Sequence, residues 1–104
     1  MSIFKNITGS SGVTVELIAP DGANDIKSIL LTNVHATADA TVTLFIQDDP
    51  ASGSTSTYKL LSTVAIPSDI ALLLDNPNMF RFGDEFGLYI TVGSSDTVDV
   101  FINQ

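Results

Sequence analysis

One histidine, His35, is the first candidate for catalytic chemistry in this 104-residue sequence. An imidazole acts as a general base when a neighbouring hydroxyl or carboxylate exchanges or orients its proton, and Asp39 follows four residues later among many serines. His35 nevertheless falls in a small polar stretch between two predicted strands, where one polar side chain is ordinary. A lone residue does not supply the mutual geometry of a catalytic site, so the sequence predicts a non-enzymatic protein with no catalytic residue.

Two pairs of adjacent carboxylates offer a second kind of chemistry. Asp48 with Asp49 and Asp84 with Glu85 could hold Ca²⁺ if their loops met at one end of the fold, because hard cations take several oxygen ligands. Asp is, however, favoured in turns for its own local hydrogen bonds. The same pairs could also be the acid and base of a glycosidase, but these carboxylates would have to face each other across a cleft. A compact domain of this length has little room for such a cleft. We therefore predict solvated turn residues, with no metal ion and no cofactor.

Three aromatic residues stand in an unexpected phase of their strands. The core-facing phase is marked by alternating aliphatic residues, namely Leu44 and Ile46, Leu88 and Ile90, and Val98 and Val100. Phe45, Tyr89 and Phe101 occupy the opposite phase, so strict alternation points their rings away from the core. Aromatic side chains gathered on an outer face mark an interaction site, unless a terminal segment such as residues 3–4 covers them within the chain. We predict Phe45, Tyr89 and Phe101 as candidate interface residues.

The elements that carry these residues are predicted to be strands. Residues 41–47 alternate like a strand with one buried face, whereas residues 26–34 are apolar on both sides, like a central strand covered on both faces. The small polar stretch 35–40 between them predicts a hairpin loop. Residues 26–47 are therefore expected to form a β-hairpin at the centre of the fold.

Six further strands are predicted along the chain, over residues 2–7, 13–17, 57–64, 70–74, 87–92 and 97–102. Residues 93–96, Gly-Ser-Ser-Asp, predict a hairpin turn between the last two strands. About eight short strands without a convincing helix are typical of an antiparallel β-sandwich or jelly roll. We expect one such all-β domain spanning residues 1–104.

Composition narrows the possible partners. Four basic residues against twelve acidic ones give a net charge of −8, which argues against binding to nucleic acid or to anionic membranes. No run approaches the roughly 18 apolar residues needed to span a bilayer, so we expect a soluble protein. The chain has no cysteine and no secretory signal at its N-terminus, which fits synthesis in a reducing cytoplasm without disulfides.

Two consecutive strings carry a family pattern: residues 26–33, I-K-S-I-L-L-T-N, and residues 40–46, A-T-V-T-L-F-I. They are followed by Tyr58, by Ile66-Pro67, by the leucines 72–74, and by the closing strings 87–92 and 97–100. This order resembles small structural proteins of tailed bacteriophages, in which an I-x-S-I-x-x-x-N strand precedes a-T-V-x-L-x-I, a Tyr-containing strand, I-P and a run of leucines. The resemblance spans residues 26–102.

The resemblance implies a virion component without an active site, which is made in the host cytoplasm and located in the virion. The expected role is that of a capsid decoration (cement) protein that binds the assembled shell, or of a neck or tail accessory subunit. The implied partners are further copies of the chain, for example in a trimer, and other virion proteins such as the major capsid protein. A carbohydrate- or Ca²⁺-binding β-sandwich module, using the outward aromatics and the loop carboxylates, stays open as an alternative from another class.

Overall fold

The computed structural model describes residues 2–9, 12–19, 26–35, 37–48, 56–76, 80 and 86–103. These residues form eight β-strands: β1 (Ser2–Gly9), β2 (Val13–Ile18), β3 (Ser28–Asn33), β4 (Ala40–Asp48), β5 (Thr57–Ile66), β6 (Ala71–Leu74), β7 (Phe86–Val92) and β8 (Asp96–Asn103). Within this part of the chain no α-helix forms, and no helix is long and apolar enough to cross a membrane.

The strands form two four-stranded sheets, in the orders β1-β8-β3-β6 and β2-β7-β4-β5. All ladders are antiparallel. Of the connections between consecutive strands, the one from β4 to β5 stays within a sheet, and every other one crosses to the opposite sheet. This is the strand order of a jelly roll, which combines two Greek keys. The predicted antiparallel β-sandwich is confirmed.

The predicted β-hairpin over residues 26–47 is wrong. β3 pairs with β8 and β6 in one sheet, whereas β4 pairs with β7 and β5 in the other. The turn predicted at residues 93–96 is present, but it too joins strands of different sheets, because β7 and β8 do not pair. Periodicity reports which face of a strand is buried and says nothing about which strand lies beside it.

The core lies between the two sheets. It is built from the side chains that point inward at alternating positions along the strands of both sheets. The burial pattern changes at each residue along β3 and along β4 as far as Gln47, as a strand with one covered face requires. Ile29 and Leu31 of β3 are fully buried, but Leu30 between them is only half-buried. The prediction that this strand is covered on both faces is therefore wrong for its outer face.

Asn33, at the end of β3, is a fully buried polar side chain that fastens a corner of the sandwich. Its Nδ2 donates hydrogen bonds to the carbonyls of Ala38 (2.8 Å) and Ile66 (2.9 Å). Its Oδ1 accepts a hydrogen bond from the backbone N–H of His35 (2.9 Å). One amide group thus ties the crossing from β3 to β4 to the end of β5, and this asparagine is the last residue of the I-x-S-I-x-x-x-N string.

The turn between β7 and β8 is fitted closely against its neighbours. The Asp96 carboxylate accepts a hydrogen bond from the backbone N–H of Thr41 (3.0 Å), and the N–H of Gly93 donates to the Thr41 carbonyl (2.9 Å). A Cβ at position 93 would lie 2.5 Å from Asp96 Oδ2, so glycine is needed for the carboxylate to reach β4.

Candidate functional site

The three predicted interface residues lie on the outside of the sandwich but not together. Phe45 and Tyr89 are on the outer face of the β2-β7-β4-β5 sheet, and Phe101 is on the outer face of the β1-β8-β3-β6 sheet. They therefore belong to two separate surfaces on opposite sides of the molecule.

An apolar row crosses the whole outer face of the β1-β8-β3-β6 sheet. Its members follow one another through the strand register: Phe4 opposite Phe101, Phe101 opposite Leu30, and Leu30 opposite Leu73. The rings of Phe4 and Phe101 meet edge to face, with centroids 4.3 Å apart. Phe4 is 64% exposed, Leu73 54% and Phe101 44%. Four adjacent strands thus present one continuous apolar strip, about 14 Å long at the usual strand spacing.

The N-terminal residues do not shield the outward aromatic side chains from solvent. Residues 3–4 could have shielded the outward aromatics, and Phe4 does contact Phe101. Because both rings stay exposed, the N-terminal strand enlarges the patch rather than covering it. The sequence indicates that Phe4 faces away from Ile3 and Ile7, but the run of three leucines at residues 72–74 gives no phase for Leu73. The contact among these residues depends on a strand register that the sequence does not display.

A polar row borders the apolar one. Asn6 Nδ2 donates a hydrogen bond to Asp99 Oδ1, and Thr32 stands opposite Asp99 on the next strand. A shallow groove of about 380 Å³ runs between the two rows and is lined by Phe4, Lys5, Asn6, Leu30, Thr32, Asp99, Val100 and Phe101. An apolar centre with a hydrogen-bonding margin is the usual composition of a protein–protein contact surface.

A second row, the charged row, crosses the outer face of the β2-β7-β4-β5 sheet. It reads Glu16, Tyr89, Phe45, Lys59 through the strand register. The rings of Phe45 and Tyr89 are stacked, with centroids 5.6 Å apart and an interplanar angle of 16°. The Tyr89 hydroxyl donates a hydrogen bond to Glu16 Oε2 (3.2 Å). Two rings are therefore framed by a carboxylate on one edge strand and an ammonium group on the other.

Threonines and a glutamine surround the charged row, and their polar groups are paired within the face. The hydroxyls of Thr14 and Thr91 are 2.8 Å apart, and Gln47 Nε2 donates to Thr57 Oγ1 (3.0 Å). Thr43 Oγ1 accepts a hydrogen bond from a backbone N–H of β5 (3.0 Å). A groove of about 370 Å³ along this face is lined by Thr43, Phe45, Gln47, Thr57, Lys59 and Thr91.

The imidazole of His35 supports a loop. Its Nδ1 accepts hydrogen bonds from the backbone N–H groups of Thr37 and Ala38, both at 3.1 Å. An Nδ1 engaged in this way has no lone pair free to accept a substrate proton. The local geometry is that of a turn closed by a side-chain acceptor.

Of the two predicted carboxylate pairs, only Asp48 belongs to the residues that the structure describes. Asp48 Oδ1 accepts a hydrogen bond from the N–H of Ser56 (2.8 Å), which closes the connection between β4 and β5. Asp49, Asp84 and Glu85 lie outside the described residues. Among the residues that are described, no three carboxylate or imidazole groups converge on a point where a metal ion could bind.

No protein-family model and no curated protein matches the sequence. A solved structure, the crystal structure of PirA, is similar to this chain, with a TM-score of 0.56 and 11% sequence identity. The similarity covers 97% of this chain and 90% of that one. At this level of identity the likeness concerns the fold alone, so the jelly-roll arrangement is what the two chains share.

Proposed function

We propose that this chain is a non-enzymatic structural protein of a tailed-bacteriophage virion, and that it acts as a capsid decoration (cement) protein on the assembled shell. The observation that carries the proposal is the exposed apolar row of Phe4, Phe101, Leu30 and Leu73. The resemblance of residues 26–102 to small phage structural proteins is the reason for proposing a phage virion as the assembly to which the chain belongs. A neck or tail accessory subunit would use the same surface on a different part of the particle.

The apolar row has the composition of a contact for another protein. Apolar area removed from water stabilises a complex by about 25 cal/mol per Å², and exposed aromatic anchors at the centre of an interface contribute about 2 kcal/mol or more when they fill a pocket. The acidic chain, with its net charge of −8, disfavours nucleic acid as the partner. The apolar row and the polar row beside it together suit the surface of another protein as the partner.

A repetitive shell makes modest contacts sufficient. When several copies bound to one lattice also touch each other, each additional contact forms at a high effective concentration, and the overall affinity exceeds that of one contact by a factor of about 100 or more. A small domain with one strip of this size is therefore compatible with a stable decoration layer. In this role the domain needs no pocket and no reactive residue.

The test begins with particles of the phage that encodes the chain. The protein is expected in purified particles, and added protein should bind particles that lack it. Phe101→Ser combined with Phe4→Ser is expected to weaken particle binding at least tenfold, because both rings leave the apolar row. Asn103→Ala, an exposed position two residues from Phe101 on the same side of β8, is the matched control and should bind like the wild type.

Absence of the chain from purified particles would overturn the virion assignment. Unchanged particle binding by the double serine variant, with its cooperative unfolding retained, would overturn the use of the apolar row.

A further inference from the structure

We propose that the β2-β7-β4-β5 face pairs with the same face of a second copy of this chain, about a two-fold axis that runs parallel to the strands between β7 and β4. The proposal rests on the order of the charged row, in which Glu16, Tyr89, Phe45 and Lys59 follow one another across the sheet. It goes beyond the proposed function, because it concerns the opposite side of the sandwich from the apolar row.

The two charges of the row are not placed to neutralise each other within one chain. Glu16 and Lys59 are on the two edge strands, three strand spacings apart, which is about 14 Å. The stacked rings of Phe45 and Tyr89 fill the space between them, and the Tyr89 hydroxyl holds the Glu16 carboxylate at its own edge. The face therefore presents a negative side and a positive side to whatever covers it.

Symmetry selects how a second copy can meet this pattern. Two identical faces stack when the two-fold axis lies in the plane between them. An axis along the row would set Glu16 against Glu16 of the other copy, which is repulsive. An axis along the strands exchanges the two sides, so that Glu16 of each copy faces Lys59 of the other. The same operation places Tyr89 over Phe45 twice, at the centre.

The surroundings of the row allow the face to be covered. Burying polar groups is costly when they lose their hydrogen-bond partners. Here the Thr14 and Thr91 hydroxyls pair with each other, and Gln47 pairs with Thr57, so these side chains keep their partners when water leaves. Stacked sheets lie about 10 Å apart, a distance that side chains of this size span. The charge pattern thus supplies the specificity, and the paired polar groups reduce the cost of desolvation.

The test is a charge-exchange series followed by light scattering over a wide range of protein concentration. The wild type is expected to reach the mass of a dimer. Glu16→Lys and Lys59→Glu, each alone, place like charges opposite each other at both ends of the row, and each should weaken dimerisation at least tenfold. The double variant Glu16→Lys/Lys59→Glu restores both pairs and should dimerise again.

Mixing the two single variants provides the sharpest readout. One carries two positive charges on its row and the other two negative charges, so the mixture is expected to form mixed dimers at concentrations where each variant alone stays monomeric. This result requires no comparison of folding stability, because the same two preparations serve as their own controls. Phe101→Ser, on the opposite sheet, should leave dimerisation unchanged, which separates this interface from the shell-binding surface.

Several results would overturn the proposed dimer. A wild type that stays monomeric, a closed trimer, or single variants that dimerise like the wild type would each exclude this two-fold arrangement. A monomer whose tyrosine fluorescence changes on titration with an oligosaccharide would assign the face to a carbohydrate. If the wild type is a monomer, loss of particle binding by the charge variants would assign the face to the shell.

Discussion

Phe4 and Phe101 lie opposite each other in the β1–β8 ladder, and their rings meet edge to face on the outside of the sandwich, with centroids 4.3 Å apart. The neighbouring residue Ile102 is fully buried, so the chain places an aliphatic side chain inside and an aromatic one outside at consecutive positions. Apolar surface that remains in water contributes little to folding. The position of these two rings therefore fits a contact with another molecule better than a contribution to stability.

Alanine substitutions at Phe101 and Ile102 separate these two roles. Phe101→Ala is expected to lower the free energy of unfolding by about 1 kcal/mol, because it removes one aromatic contact from a half-exposed site. Ile102→Ala is expected to lower it by about 3 kcal/mol, because it leaves a cavity in the core. Urea unfolding of the two variants measures both values on the same strand.

The comparison is informative because the positions are adjacent and belong to one ladder. An equal loss of stability in the two variants would mean that Phe101 contributes to folding as a core residue does. That result would contradict the proposal that the apolar row is a contact surface for another protein.

Substitution of Asn33 should reveal how much of the fold depends on one buried amide. Asn33→Ala leaves the carbonyls of Ala38 and Ile66 and the N–H of His35 without their side-chain partner. The bond to Ile66 is buried and the other two are partly buried, and an unsatisfied buried group costs about 1–3 kcal/mol, so the free energy of unfolding should fall by about 2 kcal/mol. Chemical denaturation of the variant provides the measurement.

Two further variants sharpen this prediction. Asn103→Ala removes an exposed amide and should change stability by less than about 0.5 kcal/mol. Asn33→Asp keeps the shape of the side chain, but its carboxylate can donate to neither carbonyl, and its protonated form can donate to one of them. Its loss of stability should therefore be larger at neutral pH than in mild acid, and a loss that does not depend on pH would contradict the assigned hydrogen bonds.

The strands and their inward faces could be predicted from the sequence because both are local properties. The alternation of Val42, Leu44 and Ile46 identifies the buried side of β4, and the predicted bounds of the strands differ from the observed ones by at most two residues at either end. The outward phase of Phe45, Tyr89 and Phe101 followed from the same rule. Burial on one face of a strand has a period of two residues, and this period is visible in the sequence as the alternation of apolar and polar residues.

Pairing between strands could not be predicted in the same way. The short connection from β3 to β4 is compatible with a hairpin or with a crossing between sheets. The buried Asn33, which bonds to this connection and to the end of β5, resembles in the sequence any polar residue at a strand end. The apolar row joins Phe4, Leu30, Leu73 and Phe101, which are far apart in the sequence. Their assembly depends on the register of three ladders, which is fixed only once the whole core has packed.

The turn between β7 and β8 permits a gain in stability through a single glycine. Ser95 has a φ of 67°, in the left-handed region, and its N–H donates to the carbonyl of Gly9 at the end of β1. A side chain in this region costs about 1–2 kcal/mol, whereas glycine adopts it freely and loses about 0.5–1 kcal/mol of chain entropy. Ser95→Gly is therefore expected to raise the free energy of unfolding by about 0.5 kcal/mol, and the melting temperature by about 3 °C.

Ser94 is the matched control for this prediction, because it belongs to the same turn but its φ is not positive. Ser94→Gly gains no relief from strain and adds only chain entropy to the unfolded state, so it should lower the melting temperature. Thermal unfolding followed by circular dichroism compares the two variants with the wild type. Opposite signs for neighbouring serines would assign the difference to backbone conformation. A lower melting temperature for both would mean that the serine side chain at position 95 contributes more than its backbone strain costs.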